Sequence, residues 1–271
     1  MNQLYWTYRG HTLLKQDMDD LRITEFDRDR ADALRRIWFI GDVHGEFKYL
    51  AQTLIQAKVH PRWIVFAGDI DIFHTPFREI LEPLRRFDPN LGIAFIHGNH
   101  DADTQQHWEM LHDAGDAIVF HGLVANLSGI WVAGLGGHFL RPIWKPPASP
   151  AFANKHAAMS GDVFRFRGGQ RPSPEYLAAI YPDDLDRLAA ERADILVTHE
   201  APSCHPRGFE VLDDLARQLG VVRSFHGHHH DDLTAEYAQH RNRLGFDAIG
   251  LRYCQIKNGL GEEIFEGLPG W

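Results

Sequence analysis

Ile37-Trp-Phe-Ile40 runs directly into Gly41-Asp42-Val43-His44-Gly45, and Trp63-Ile-Val-Phe-Ala67 runs in the same way into Gly68-Asp69-Ile70-Asp71. Ile93-Ala-Phe-Ile96 before His97-Gly98-Asn99-His100-Asp101 repeats the form. Each apolar run is short and rich in β-branched and aromatic side chains, the composition of a buried strand, and each stops at a cluster of Gly, Asp, Asn and His. Helix-like stretches follow each of them, at Glu46 to Ala57, Pro76 to Phe87 and Thr104 to Asp113. Strand and helix in alternation predict a largely parallel sheet, and in such sheets ligands bind beyond the carboxyl ends of the strands.

Two later runs end in the same chemistry. Ile195-Leu-Val197 precedes Thr198-His199-Glu200, and Val221-Val-Arg-Ser-Phe225 precedes His226-Gly227-His228-His229-His230. Five strand ends capped by ligand-type residues then converge on one crevice. Leu123 to Leu127, Ile130 to Leu135, Thr234 to Tyr237, Phe246 to Leu251 and Tyr253 to Ile256 are further short strand candidates. Their turn-like spacing predicts antiparallel strands or a second sheet. Two packed sheets flanked by helices accommodate the whole pattern.

The chain has 271 residues, 44% hydrophobic and 24% charged, with no linker or charge block dividing it, which predicts one globular domain. Residues 1–36 read as an N-terminal extension whose charge-rich end, Glu25 to Arg36, is a short helix or an exposed connector. Residues 37–271 form the domain, interrupted at about 139–182 by seven prolines, Gly168-Gly169 and the basic trio Arg165, Arg167 and Arg171. That insertion either covers the rim of the site or is a solvated excursion. The trio could hold a second phosphate or a nucleotide, or is simply a solvated face.

A net charge of −9 provides no global basic field for nucleic acid, which is therefore not favoured as a partner. The opening residues lack a basic leader before an apolar core, and no apolar run approaches membrane-spanning length, so a cytoplasmic location without a membrane is expected. Cys204 and Cys254 are expected to be free thiols. Oligomeric state leaves no trace in the pattern. Histidine is the outlier, at 18 residues, and directs attention to metal ligands.

Carboxylate oxygen, amide oxygen and neutral imidazole together suit hard or borderline divalent cations, and a carboxylate has two oxygens with which to bridge a pair of them. Two ions roughly 3.5–4 Å apart share a nucleophile and neutralise charge on a phosphoryl group during in-line displacement. Asp69 is the candidate bridge. A lone Asp-x-His carries little weight, but five fragments in order, each at a strand end, carry much more.

The order Gly41-Asp-Val-His-Gly45, Gly68-Asp69, Gly98-Asn-His-Asp101, a lone His199 after an apolar strand, and Gly227-His-His-His230 resembles the calcineurin-like metallophosphoesterase superfamily, over Ile37 to His230. The resemblance implies an α/β fold, a four-layer α-β-β-α sandwich of two facing mixed sheets with the metal site at the strand carboxyl ends. It implies that Asp42, His44, Asp69 and His230 hold one ion, and that Asp69, Asn99, His199 and His228 hold the other. His100 would contact the phosphate and protonate the leaving group, an apt task for an imidazole near neutral pKa. Manganese is the first expectation for both ions, with iron, zinc, nickel or cobalt tolerated by the same donors.

Asp101 either supports its segment or caps the following helix, and the cap is the favoured expectation. Relatives often read Gly-Asp-x-x-Asp followed by Arg at the second motif, where this chain has Ile72 and Phe73. Asp71 is offset by one residue, which on a strand turns a side chain to the opposite face. What orients His100 is thereby left open, between another group, such as a backbone carbonyl, and a bent loop that returns Asp71. A phosphoprotein substrate also loses ground. His226, His229 and His97 are expected to be structural or surface histidines that face away, while His74 and His138 are weaker candidates for reaching the phosphate.

The expected function is a dimetal-dependent phosphoester hydrolase, a phosphodiesterase or phosphatase acting on a small phosphoester or nucleotide with a metal-bound hydroxide as nucleophile. The competing expectation is a protein-binding scaffold that kept the fold and lost catalysis. Retention of His100 and of all the ligand positions favours the enzyme.

Overall fold

In the computed structural model the chain is described over residues 5–8, 11–14, 28–160 and 173–270. Arg165, Arg167, Arg171 and Gly168-Gly169 lie outside the described residues. Near the N-terminus, β1 (Tyr5–Tyr8) and β2 (His11–Leu14) pair antiparallel. The first three apolar runs become β3 (Ile37–Ile40), β4 (Trp63–Ala67) and β5 (Gly92–Ile96), parallel and side by side. β6 (Ile118–Val119) extends them in parallel at one edge. At the other edge β12 (Ile256–Asn258) and β13 (Glu263–Phe265) add antiparallel, giving the order β13-β12-β3-β4-β5-β6.

A second sheet holds β7 (Leu123–Leu127), β8 (Ile130–Leu135), β9 (Ile195–Thr198), β10 (Arg223–His226) and β11 (Asp247–Gly250), in the order β11-β10-β9-β8-β7. Of the two outcomes that the sequence spacing left open, antiparallel strands or a second sheet, the second sheet is found; within it only β7 runs antiparallel, and β8 through β11 are parallel. The reason lies between the strands, where helices rather than tight turns make the crossovers.

Residues 28–35 form α1, followed by α2 (Lys48–Gln56), α3 (Phe77–Ile80), α4 (Glu82–Phe87) and α5 (Gln105–His112). Side chains alternate along each strand, so Trp38, Ile64, Phe66 and Phe95 face outward and pack on Leu50, Leu54, Phe77 and Leu111 of the helices. Ile37, Phe39, Val65 and Ile96 face inward and meet Val132, Ile195, Val197 and Phe225 of the second sheet. Phe39 stacks on Phe225 with centroids 4.1 Å apart. Burial on both faces is why the strands read as unbroken apolar runs, and each such side chain contributes about 1.5–3 kcal/mol. Leu34 of α1 joins this inner core.

The outer face of the second sheet is covered by α7 (Pro182–Ala189), α8 (Glu210–Leu219), α9 (Thr234–Tyr237) and α10 (Arg241–Leu244), through Leu188, Leu212, Leu219, Tyr237 and Leu244. The result is the expected α-β-β-α sandwich. Between β8 and α7 the described part of the insertion, including α6 (Lys155–Ser160), gathers Ile143, Ala158, Tyr176, Ala179 and Tyr181 into a small core of its own.

Three sequence expectations are corrected. The helix expected over Pro76 to Phe87 breaks at Leu81, because Pro83 has no N–H to donate and its ring would strike the carbonyl of Glu79. Thr234 to Tyr237, expected as a strand, is α9: the Asp232 carboxylate accepts the Thr234 N–H at 3.1 Å, and Tyr237 turns inward onto the second sheet. Only Ile256 of Tyr253 to Ile256 lies in a strand, since Cys254 takes φ 57° and bends the backbone there.

Candidate metal centre

The carboxyl ends of β3, β4, β5, β9 and β10 bring their motif residues into one place, and the connecting backbone is sharply bent. His44, Asp69, Asp71, His228 and His230 all have φ between 41° and 70°, a conformation that costs a non-glycine residue about 1–3 kcal/mol. Strain concentrated on ligand-type residues is expected where side chains must be aimed inward from short loops. The aiming differs from the sequence expectation, because β10 ends at His226 and His228 and His230 reach the site from a turn rather than from an extended strand.

The loops are tied to one another through the site's own groups. Asp42 Oδ2 accepts the His228 N–H at 2.7 Å, and Asp69 Oδ1 accepts the His100 N–H at 2.9 Å. The Asp69 carbonyl accepts N–H groups from Val43 and His44. Asp101 is fully buried and accepts from Gly98 N–H at 2.8 Å and from Asp71 N–H at 2.7 Å, locking the second motif to the third. It therefore does not cap α5, a task taken by Thr104, whose hydroxyl accepts the His107 N–H. Burial beside Asp69 pushes the Asp101 carboxyl up to about 7 against the pull of those two donors.

Two groups of donor atoms result. Asp42, His44, Asp69 and His230 offer ligand atoms all within 4.8 Å of one another, and Asp69, His199 and His228 do the same, with Asp69 common to both. Asn99 Oδ1 lies 3.0 Å from His199 Nε2, beside the second group. His44 Nε2 faces His230 Nε2 at 3.1 Å, and His230 Nε2 lies 3.0 Å from Asp42 Oδ2. Asp42 Oδ1 is buried and accepts no hydrogen bond, a costly state for a carboxylate oxygen that a cation would relieve. The donor set and this orphaned oxygen fit divalent ions.

Electrostatics agree. Burial disfavours a charge on His199, yet the carboxylates of Asp69 and Asp42 outweigh it and raise its pKa to about 10. Burial likewise opposes ionisation of Asp69, but His199 and the His100 N–H hold its pKa well below the usual carboxylate range. Buried carboxylates thus draw a proton to the place where a cation would sit. His228 is pushed down to about 3, by burial first and then by the charge on His199. Second contacts fix the rings: His199 Nδ1 lies 3.0 Å from the Ala67 carbonyl, and His44 Nδ1 lies 3.4 Å from Asp71 Oδ2, so each Nε2 points inward.

The motif glycines leave room for this packing. A Cβ on Gly98 would come within 2.2 Å of Asp69 Oδ1, and one on Gly227 would stand equally close to Asp42 Oδ1.

His100 sits at the edge of the cluster, its side chain 39% exposed and its ring 5.4 Å from that of His44. Burial lowers its pKa, but a hydrogen bond from Nδ1 to Asp103 at 2.9 Å and the charges of Asp69, Asp103 and Asp71 raise it on balance. Asp103 was missed in the sequence, although it stands three residues after His100, across one turn of 3₁₀-helix. Glu200, adjacent to His199, was also missed; it accepts the Phe139 N–H at 3.0 Å and lies 3.9 Å from His228 Nε2.

Among the described residues the other histidines lie outside both groups. His226 is buried against the Tyr237 hydroxyl and the Gly227 carbonyl, and His229 stacks on His205 at 3.9 Å. His97 is buried among Trp108, His112 and His121, and His74 is exposed beside Phe73. Burial and the charge on His199 push His138 down to about 4, leaving it neutral near the second group.

Among known proteins, the calcineurin-like phosphoesterase family model matches residues 35–232. A Haemophilus influenzae protein named only as uncharacterized is 32% identical over 218 residues, 79% of this chain and 92% of its own length. A Sinorhizobium medicae protein named dihydroorotase is 29% identical over 182 residues, 66% of this chain, and the chain spans about half its length, 49%. The crystal structure of TT1561 of Thermus thermophilus aligns with 82% of this chain and 94% of its own at 13% identity, with a TM-score of 0.48. The family match runs through all five strand-end motifs, and with it the chain is placed as a member of the calcineurin-like phosphoesterase family.

Proposed function

We propose that the protein is a phosphoester hydrolase that works with two divalent ions, one held by Asp42, His44, Asp69 and His230 and the other by Asp69, Asn99, His199 and His228. The observation that carries this reading is the sharing of Asp69, only 1% exposed, between two compact donor groups, beside an orphaned Asp42 oxygen. When bound, the ions supply Lewis-acid charge that activates water and neutralises a phosphoryl group.

The chain's own residues do the rest. Ala67 and Asp71 hold the His199 and His44 rings in the tautomer that presents Nε2 to the centre. Asp101 keeps the second and third motifs in register, so that Asp69 and Asn99 face the same point. His100 stands at the open side and delivers a proton to the leaving oxygen as the P–O bond breaks. With Nδ1 held by Asp103, that proton leaves from Nε2.

The substrate is a small phosphoester or a nucleotide. A net charge of −9 opposes long nucleic acid, and buried Ile72 with Phe73 stands where relatives carry the Asp and Arg of phosphoprotein enzymes. Manganese is the first candidate ion.

The test compares bis-p-nitrophenyl phosphate with p-nitrophenyl phosphate, using protein stripped with chelator and reloaded with manganese. Faster turnover of the diester, lost in His100→Ala, identifies a phosphodiesterase; preference for the monoester identifies a phosphatase. Absence of hydrolysis of either ester by fully loaded protein would overturn the proposal.

A further inference from the structure

We infer that Asp103 is the positioning residue of His100, filling the place that the second carboxylate of Gly-Asp-x-x-Asp occupies in relatives; this rests on the proposed hydrolase reading. Three observations lead to it. The matching position here is Ile72, an apolar residue only 5% exposed. The neighbouring carboxylate, Asp71, is engaged elsewhere: Oδ2 lies 3.4 Å from His44 Nδ1 and Oδ1 lies 3.5 Å from His107 Nδ1. Asp103 Oδ2, by contrast, lies 2.9 Å from His100 Nδ1.

Backbone geometry makes the Asp103 contact specific. Residues His100–Ala102 form one turn of 3₁₀-helix, and the Asp103 N–H donates back to the His100 carbonyl at 3.2 Å. Residues three apart eclipse on such a turn, so the two side chains stand side by side. On one flank the His100 N–H is fixed to Asp69 Oδ1, and on the other His107 Nδ1 lies 3.3 Å from the His100 carbonyl. Thr104 then starts α5, so the segment cannot slide. With its main chain held on both sides, His100 keeps only the rotation of its ring, and Asp103 sets that.

The chemistry follows from the bond. As an imidazolium, His100 donates Nδ1–H to Asp103 and Nε2–H to the leaving oxygen. When the P–O bond breaks and the Nε2 proton goes to the departing alkoxide or phenoxide, the neutral ring retains Nδ1–H on Asp103. Both side chains are substantially exposed, 39% and 50%, so the pair adds little to stability and acts through orientation.

The experiment uses the metal-loaded full chain with Asp103→Asn and Asp103→Glu. A nitrophenolate leaves without help from an acid, whereas unsubstituted phenolate needs the proton. Asp103→Asn should lower kcat on diphenyl phosphate by about tenfold or more, and on bis-p-nitrophenyl phosphate by less than about threefold. Asp103→Glu should recover much of the loss, with ion content and melting temperature matching the parent in both variants. Equal losses on both esters, or none on diphenyl phosphate, would overturn the inference. Should the parent hydrolyse neither ester, the hydrolase reading fails, and ¹⁵N spectra of histidine-labelled, zinc-loaded protein still test the contact. Neutral His100 protonated at Nδ1, and shifted in Asp103→Asn, supports it; protonation at Nε2 in the parent refutes it.

Discussion

Replacing Gly98 by alanine is the most informative small change the site permits. The added Cβ would stand 2.2 Å from Asp69 Oδ1, 2.5 Å from Asp69 N and 2.6 Å from His199 Cε1. The first of these falls about 1.2 Å short of the 3.4 Å at which ordinary contact begins. One neighbour is backbone and the other two belong to side chains of the proposed ligands, so relief requires Asp69 and His199 to move by about that amount. Metal–ligand distances tolerate roughly 0.2 Å, several times less, so Asp69 should be lost as a bridge. Affinity for both ions should fall by at least about 100-fold, the upper end of what indirect perturbations of metal sites cost. The fold should survive, because overpacking of this kind costs about 1–3 kcal/mol. Titration with zinc followed by calorimetry reads the affinity, and circular dichroism reads the fold. Gly129→Ala, where nothing lies within 4 Å, is the control: its φ of 90° makes it destabilising without touching the ions. Two ions bound by Gly98→Ala with parental affinity would refute the packing argument.

Further outcomes follow from the same contacts. Asp101→Ala leaves the Gly98 and Asp71 N–H groups without their acceptor in a buried place, and should cost about 3 kcal/mol in urea unfolding. Burial raises the Asp184 pKa, but the hydrogen bond and charge of His121, the Tyr181 N–H and Arg187 lower it on balance below the normal 3.8. A depressed folded-state pKa stabilises the fold above the unfolded value and is lost as pH falls through the folded one. The parent should therefore exceed Asp184→Asn in stability at pH 6, and the advantage should fade as pH falls below 3.8 and through the lower folded-state value, as unfolding midpoints across pH will report. Truncating Phe225 to alanine removes its stack on Phe39 from the core between the sheets and should cost about 3–5 kcal/mol while leaving the ion ligands in place.

Much of this was legible in the sequence because two periodicities coincide with chemistry. Strands buried on both faces read as unbroken apolar runs, and a parallel sheet places all their polar ends on one edge, so Asp42, His44, Asp69, Asn99, His199, His228 and His230 could be gathered without coordinates. What escaped was set by single backbone angles and local competition. The strand-like composition of Thr234 to Tyr237 lost to the Asp232 carboxylate that accepts the Thr234 N–H and to burial of Tyr237. The cap expected of Asp101 lost to two loop N–H groups, which no spacing rule reveals. Alternation along an extended strand suggested which histidines of the last motif face inward, yet the chain leaves β10 at His226 and turns with φ 70° at His228 and 54° at His230. Asp71 is a similar case, since its φ of 53° breaks the alternation that placed it on the wrong face.

The central claim is a pair of ions joined through Asp69, and counting them tests it most directly. Chelator-stripped protein, reloaded and freed of excess metal, should bind two ions per chain by mass spectrometry of the native protein. His230→Ala should retain one, and Asp69→Asn neither at the same free concentration. A parent that binds one ion or none, or an Asp69→Asn variant that still holds two, would contradict the account.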